Sequence, residues 1–210
     1  MAGPKSERAP DPRLGSHIDS LVSLREYVRA DLRSRGNVGS FFRIVVFDPV
    51  ARFTVLMRVS EYAENTGMPP LVRLPILWWY RRLSVRLGFS FAPGIFGPGL
   101  AIVHYGLLIV DPMTRVGRNC RIHAGVNIGG EAKILKPGEA NCYSPRIGHN
   151  VYIGPGAKLY GPIEIGDDCT IGANAVVTHS FRQQAVVLAG VPAKVIRRRN
   201  SSELLIKGAG

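Results

Sequence analysis

An aliphatic residue returns at every sixth position at Val116, Ile122 and Ile128, and again at Ile147, Ile153, Leu159, Ile165, Ile171 and Val177. An α-helix of about 3.6 residues per turn scatters such residues over several faces, and a hairpin has no reason to repeat at that interval. The period suits a solenoid, in which each rung contributes one inward aliphatic side chain and then a tight corner. The residue after the aliphatic one is glycine at Gly117, Gly129, Gly148, Gly154, Gly166 and Gly172, and a missing Cβ relieves such a corner. Stacked rungs would bury a continuous aliphatic column and pair short parallel strands from coil to coil. The step from Ile128 to Ile147 is 19 residues and breaks the period, so residues 129–146 are expected to leave the coil as a loop.

Before Gly88 the spacing is helical. In "SHIDSLVSLREYVRADLRSRG" the apolar residues Ile18, Leu21, Val22, Tyr27, Val28 and Leu32 recur with helical spacing, which predicts one amphipathic helix with Ser16 as candidate N-cap and Gly36 as a stop. A second helix is expected to start at Asp48, a capping side chain followed by Pro49 in the first turn, and to run to about Asn65 ahead of Gly67. A third lies in "PPLVRLPILWWYRRLSVRLG". Its Trp78 and Trp79, beside Arg81 and Arg82, suit contact with a membrane surface, but a tryptophan pair on such a helix more often packs, and packing is the expectation. The chain is thus expected to divide into a disordered tail over 1–16, an α-helical region over 17–88, a β-helix over 89–196, and a basic C-terminal tail over 197–210.

With 210 residues and 46% hydrophobic content the chain has enough apolar surface for an ordinary core. Arg43, Arg58, Arg73, Arg81 and Arg82 interrupt the apolar segments, and the N-terminal stretch lacks the apolar run of a signal peptide. Cys120, Cys142 and Cys169 are odd in number and show no C-x-x-C spacing, which argues against a disulfide framework and for a reducing, cytoplasmic setting. The net charge of +12 comes with no zinc-finger spacing and no RNP-like aromatic motif. A phosphate-bearing small ligand therefore explains it better than nucleic acid, which is not an expected partner.

These hexads, with "YIGPGAKLYGPIEIGDDCTIGANAVVTHSF" and the closing "LAGVPAKVIRRR", resemble the hexapeptide-repeat acyltransferases over about residues 90–200, most closely their serine acetyltransferase-like branch. The resemblance implies a mainly β fold, a left-handed parallel β-helix with an N-terminal α-helical region, assembled as a homotrimer. Acetyl-CoA would lie along the groove between neighbouring prisms. The hand comes from the resemblance alone, because parallel crossovers are ordinarily right-handed.

By the same resemblance, "LAIVHYGLLIV" looks like the active-site stretch, with His104 in the position of the catalytic histidine, two residues after the rung position Ile102. An imidazole with an unperturbed pKa of about 6.5 is largely neutral near neutral pH and able to take a hydroxyl proton. The eight-residue step from Leu108 to Val116 matches a bulged rung of the family. On the cofactor side, Gly154 and Ala173 match small residues on pantetheine-contacting coils. Gly190, Pro192, Ala193 and Lys194 in "AGVPAKV" match the loop over the nucleotide, and Arg197 joins Lys194 as a cation for its phosphates. Tyr105 and Ser144 are the expected acceptor-binding residues.

Three positions depart from serine acetyltransferases: Ser144 stands where a second histidine precedes the resumed repeat, Val103 where an aspartate adjoins the catalytic histidine, and Phe89 where a second aspartate orients it. Those departures favour a hydroxyl of a small metabolite or sugar as acceptor for an acetyl-CoA-dependent O-acetyltransferase. Serine O-acetyltransferase proper, and a non-catalytic trimeric scaffold, are the alternatives. His123, His149 and His179 form no H-x-x-x-x-H pair, and no metal is expected.

Overall fold

The computed structural model describes residues 14–36, 41–131 and 143–206. Residues 1–13 of the expected tail, 132–142 of the loop and 207–210 at the C-terminus lie outside the described residues.

Four helices precede the coil. The first, α1 (Leu21–Ser34), is capped by Ser20 rather than Ser16: the Ser23 N–H donates to Ser20 Oγ at 3.2 Å, and the Ser20 N–H donates to Ser23 Oγ at 3.1 Å. Ser16 instead hydrogen-bonds to Glu61 at 2.6 Å. A short helix without an expected counterpart, α2 (Phe41–Phe47), follows. At seven residues it spans too few turns to show a period. The third, α3 (Pro49–Asn65), keeps the expected bounds, because Asp48 accepts from the Val50 and Ala51 amides at 2.9 and 3.0 Å and Pro49 needs no amide partner. The fourth, α4 (Pro70–Leu87), ends on Gly88, whose φ of 76° is the left-handed conformation that suits glycine. Among the described residues no helix is long and apolar enough to cross a membrane.

From Phe89 the chain winds into a three-sided coil whose sheets hold five, three and six strands among the described residues, all parallel except the last, Lys194–Arg198. Ile102, Ile122, Ile153 and Ile171 lie in register on one side, Val116, Ile147 and Ile165 on the second, and Val110, Ile128, Leu159 and Val177 on the third. Every residue of the six-residue repeat is at most 4% exposed, so the column read from the sequence is the core. One corner carries Asn119, Asn150 and Asp168, all at positive φ, linked by side-chain hydrogen bonds of 3.0 Å. Short polar side chains tolerate that conformation and satisfy one another along the stack.

The bulged rung differs from the sequence expectation. Val110, not Leu108, pairs with Ile128, so the eight-residue step runs from Ile102 to Val110 and the additional residues fall within 103–107. Leu108 and Val110 are both buried, at 0% and 2%, and apolarity alone does not distinguish them. The basic tail expected over 197–210 also begins as structure. The strand Lys194–Arg198 pairs antiparallel with Val186–Ala189, and Ser201–Leu204 forms a 3-10 turn. Its charged side chains face solvent while its backbone closes the end of the coil, a division that composition does not reveal.

Glycine at the repeat corners answers to the next coil. A Cβ on Gly154 would lie 2.8 Å from the Ala173 amide nitrogen and 2.9 Å from the Ile171 carbonyl oxygen. Gly154→Ala is therefore expected to destabilise the protein by about 1–3 kcal/mol, since backbone on the neighbouring coil has to shift. A urea titration reads the change as a lower midpoint at unchanged slope.

The helices are tied to the first coil through one buried cation. Arg58 on α3 is fully buried and donates to Asp31 of α1 at 2.7 Å, to Glu61 at 3.1 Å, and to the carbonyls of Phe96 and Gly97 at 2.8 Å each. Asp31 in turn accepts from the amides of Gly99 and Leu100, and Glu61 from that of Gly94.

Candidate active site

Because Ile102, Ile122, Ile153, Ile171 and Leu188 stack in register, the residues that follow them form ladders along one edge of the prism. The nearer ladder reads Val103, His123, Gly154, Gly172 and Ala189; the next reads His104, Ala124, Pro155, Ala173 and Gly190. Paired strands lie about 4.8 Å apart, so four steps from the coil of His104 to that of Gly190 span about 19 Å.

His104 stands at one end of this edge on the five-residue bulge 103–107. The bulge is held at three points: the Val103 amide donates to Ile122 O at 3.1 Å, Gly106 to Leu87 O at 2.9 Å, and Leu108 to Gly88 O at 3.0 Å. Gly106 has φ 136°, which few other residues adopt. The fixed backbone presents His104 and Tyr105 to solvent, Tyr105 at 67% exposure. Among the described residues no hydrogen bond or carboxylate engages the His104 ring, and adjacent Val103 supplies none.

A second histidine lies beside it. The His123 ring centroid is 6.4 Å from that of His104 and 5.1 Å from that of Tyr152. His123 Nε2 is buried without a hydrogen-bond partner among the described residues. Burial first, and then the neighbouring Arg121 and His104, hold its pKa below the ordinary histidine value, so the ring is neutral near pH 7. A cavity of about 330 Å³ adjoins it, lined by Arg121, His123, Tyr152 and the 203–206 segment. In the sequence, His123 has no role beyond a metal ligation that its spacing argues against. Stacking the coils 20 residues apart, as Ile102 pairs with Ile122, would have brought it to His104.

At the far end, Gly190, Pro192 and Ala193 form the turn between the two antiparallel strands. The turn is bound to the last full coil by the Val176 amide to Gly190 O at 3.0 Å and the Ala193 amide to Val176 O at 2.8 Å. Gly190 has φ 98°. Lys194 and Arg197 are exposed on the outer strand, whereas Arg199 is paired with Glu203. Gly154 is buried against the Ala173 backbone, and Ala173 itself is exposed, so this stretch of the edge carries no large side chain. Gly154, Ala173, Gly190 and the turn up to Lys194 thus share one edge with His104, whereas Arg197 pairs with Val187 on the adjoining sheet face.

Ser144 does not. Its hydroxyl donates to Asp111 at 2.7 Å, next to Gly130, on the edge that follows Val110 and Ile128. Phe89 is 4% exposed and packs edge-on against Phe53 at 4.8 Å, a core role. Burial pushes the Cys120 thiol up to about 12 and raises that of Cys169, as befits core cysteines. Among the described residues no group of three or more His, Cys, Asp or Glu gathers as metal ligands would.

An imidazole on a rigid bulge, a neutral second imidazole, and a smooth edge leading to a basic hairpin together suit proton transfer at one end of a long phosphate-bearing ligand. Residues 144–179 match the family described as bacterial transferase hexapeptide (six repeats). The serine acetyltransferase of Staphylococcus xylosus is 35% identical over 161 residues, 72% of this chain and 72% of that one. The serine acetyltransferase of Mycobacterium tuberculosis is 38% identical over 116 residues, 55% of this chain and 48% of that one. The crystal structure of Neisseria gonorrhoeae serine acetyltransferase superposes with a TM-score of 0.66 at 24% identity, over 83% of this chain and 65% of that one. The coil is therefore the left-handed β-helix. The chain spans about half the length of several of the relatives it matches.

Proposed function

Because the chain belongs to the serine acetyltransferase branch of the hexapeptide-repeat acyltransferases, we propose that it transfers an acetyl group from acetyl-CoA to a hydroxyl, with L-serine the acceptor its relatives favour. The observation that carries this reading is the shared edge: His104 at one end, small residues along it, and the turn leading to Lys194 about 19 Å away, with Arg197 farther along the same outer strand. The thioester lies at His104 and the nucleotide phosphates at the basic hairpin. The reaction belongs in the cytoplasm, where acetyl-CoA is made and used.

His104 takes the proton from the acceptor hydroxyl as its oxygen attacks the thioester carbonyl. The carbon–sulfur bond of the tetrahedral intermediate breaks, and His104 returns the proton to the departing thiolate. No covalent acyl-enzyme is needed. The oxyanion requires a donor, and neutral His123, its ring centroid 6.4 Å from that of His104, is suited to supply one from its ring N–H. His123→Phe keeps the ring packing on Tyr152 and is expected to lower kcat by about 10- to 1,000-fold with little change in KM for acetyl-CoA, measured by release of free thiol.

A homotrimer completes the site. Ser144 and the described ends of the loop, 129–131 and 143–146, lie on a different edge from His104 within one chain, so a neighbouring copy is what brings that edge to the base. Tyr105 is exposed on the same bulge as His104.

One observation favours a second acceptor class. Val103 offers no carboxylate to an ammonium group, which fits a sugar or another uncharged hydroxyl compound better than an amino acid. Thiol release with L-serine, homoserine and a panel of sugars separates the two: turnover with serine supports the first reading, and turnover with sugars alone replaces it. Calorimetry that detects no CoA binding would leave a non-catalytic scaffold.

A further inference from the structure

We propose that the outer face of α4 is a docking surface for an anionic phospholipid bilayer. The helix buries Tyr80, Ser84 and Leu87, spaced by four and three residues, against α3 and the first strand. The opposite face carries Leu71, Leu74, Trp78 and Val85 at 88, 59, 54 and 81% exposure. Trp79, expected to pack, is 60% exposed, and its ring contact among the described residues is edge-on with Trp78 at 5.1 Å. Packing inside the chain therefore does not account for the tryptophan pair.

Charge selects the occupant. The exposed arginines of α4 are Arg81, Arg82 and Arg86, the helix contains no Asp or Glu, and Arg73 turns to the buried side with Tyr80. Arg82 lies over the Trp78 ring at 5.4 Å, which leaves its cation at the level of the apolar stripe. A second copy meeting this face across a two-fold axis would set arginine against arginine. An anionic bilayer instead accepts all of these groups: apolar side chains enter the acyl boundary, indole rings rest at the headgroups, and guanidinium groups meet lipid phosphates. With arginines through its second half the helix lies along the surface and does not span. Beside the stripe, Val55, Val59, Ile76 and Leu83 border an apolar groove of about 940 Å³ between α3 and α4.

The test is sedimentation of the full-length protein with vesicles of phosphatidylcholine alone and of phosphatidylcholine mixed with phosphatidylglycerol. Binding to the mixed vesicles that weakens as salt rises is expected, with little binding to the neutral ones. Trp78→Ser/Trp79→Ser and Arg81→Ser/Arg82→Ser should each reduce the partition coefficient about tenfold or more. These side chains are exposed, so fold and soluble turnover should survive. No binding to mixed vesicles at low salt overturns the proposal, as does equal binding to neutral vesicles or undiminished binding by both variants. A change in oligomeric state in either variant also overturns it, because the face then belongs to another copy. Vesicle binding is read independently of turnover, so failure of the proposed acetyl transfer would not decide it.

Discussion

Arg58→Met is expected to cost about 3–5 kcal/mol of stability at neutral pH, the range for removing one partner of a buried ion pair. Methionine fills much of the space but leaves Asp31 and Glu61, at 1% and 2% exposure, without their cation. It also leaves the Phe96 and Gly97 carbonyls without a donor. Burial by itself disfavours the Arg58 cation, yet Asp31 and Glu61 together outweigh it and raise its pKa above the ordinary arginine value. Burial already raises the Asp31 carboxyl, against the opposing pull of Arg58. Without Arg58 that rise becomes larger. A carboxyl whose folded pKa exceeds its unfolded value contributes stability below the unfolded value and loses it as pH rises through the folded one. The deficit of the variant relative to the wild type should therefore shrink as pH falls from neutrality toward about 5. Thermal melts at both pH values check this, and the neutral melt should drop by about 10 °C or more. A deficit that grows on acidification would mean that the carboxyls are not what Arg58 holds in place.

Arg58 also marks where the sequence was least informative. In the linear chain it only interrupts an apolar helix, as Arg73 and Arg81 do, yet it is fully buried and Arg81 is exposed. The difference is made by Asp31, 27 residues away, and by carbonyls of the first coil, about 38 residues away. No local pattern records a partnership at that distance. The coil was legible for the opposite reason: each rung repeats the same inward residue and corner, so period alone identified the core from Val116 to Val177. The exact rung at the bulge was not, since Leu108 and Val110 are equally apolar and only pairing with Ile128 separates them. The position of His104, two residues after the rung residue Ile102, was legible in the repeat, while its expected role as base came from the family resemblance. His123 was visible as a residue but not as a neighbour, because a 20-residue coil had to be stacked on the next before the two rings met.

The shared edge makes separable predictions about its two ends, and His104→Ala is the larger. Removing a general base typically costs about 100- to 10,000-fold in rate, so kcat for thiol release should fall by that factor. The exposed ring makes no hydrogen bond to a described residue, so the fold should be unchanged. Binding along the rest of the edge does not involve His104, and KM for acetyl-CoA should move by less than about threefold. Lys194→Ala/Arg197→Ala should do the reverse: in the proposed placement the cations contact a part of the ligand that does not react, so their loss weakens ground state and transition state alike and raises KM with kcat kept. Initial rates over a range of acetyl-CoA concentrations read both effects. If His104→Ala retains full turnover, the base lies elsewhere and the bulge is only a structural corner. If both variants lower kcat equally, the two ends do not act as separate chemical and binding sites, and the ligand does not run along the edge from Gly190 to His104.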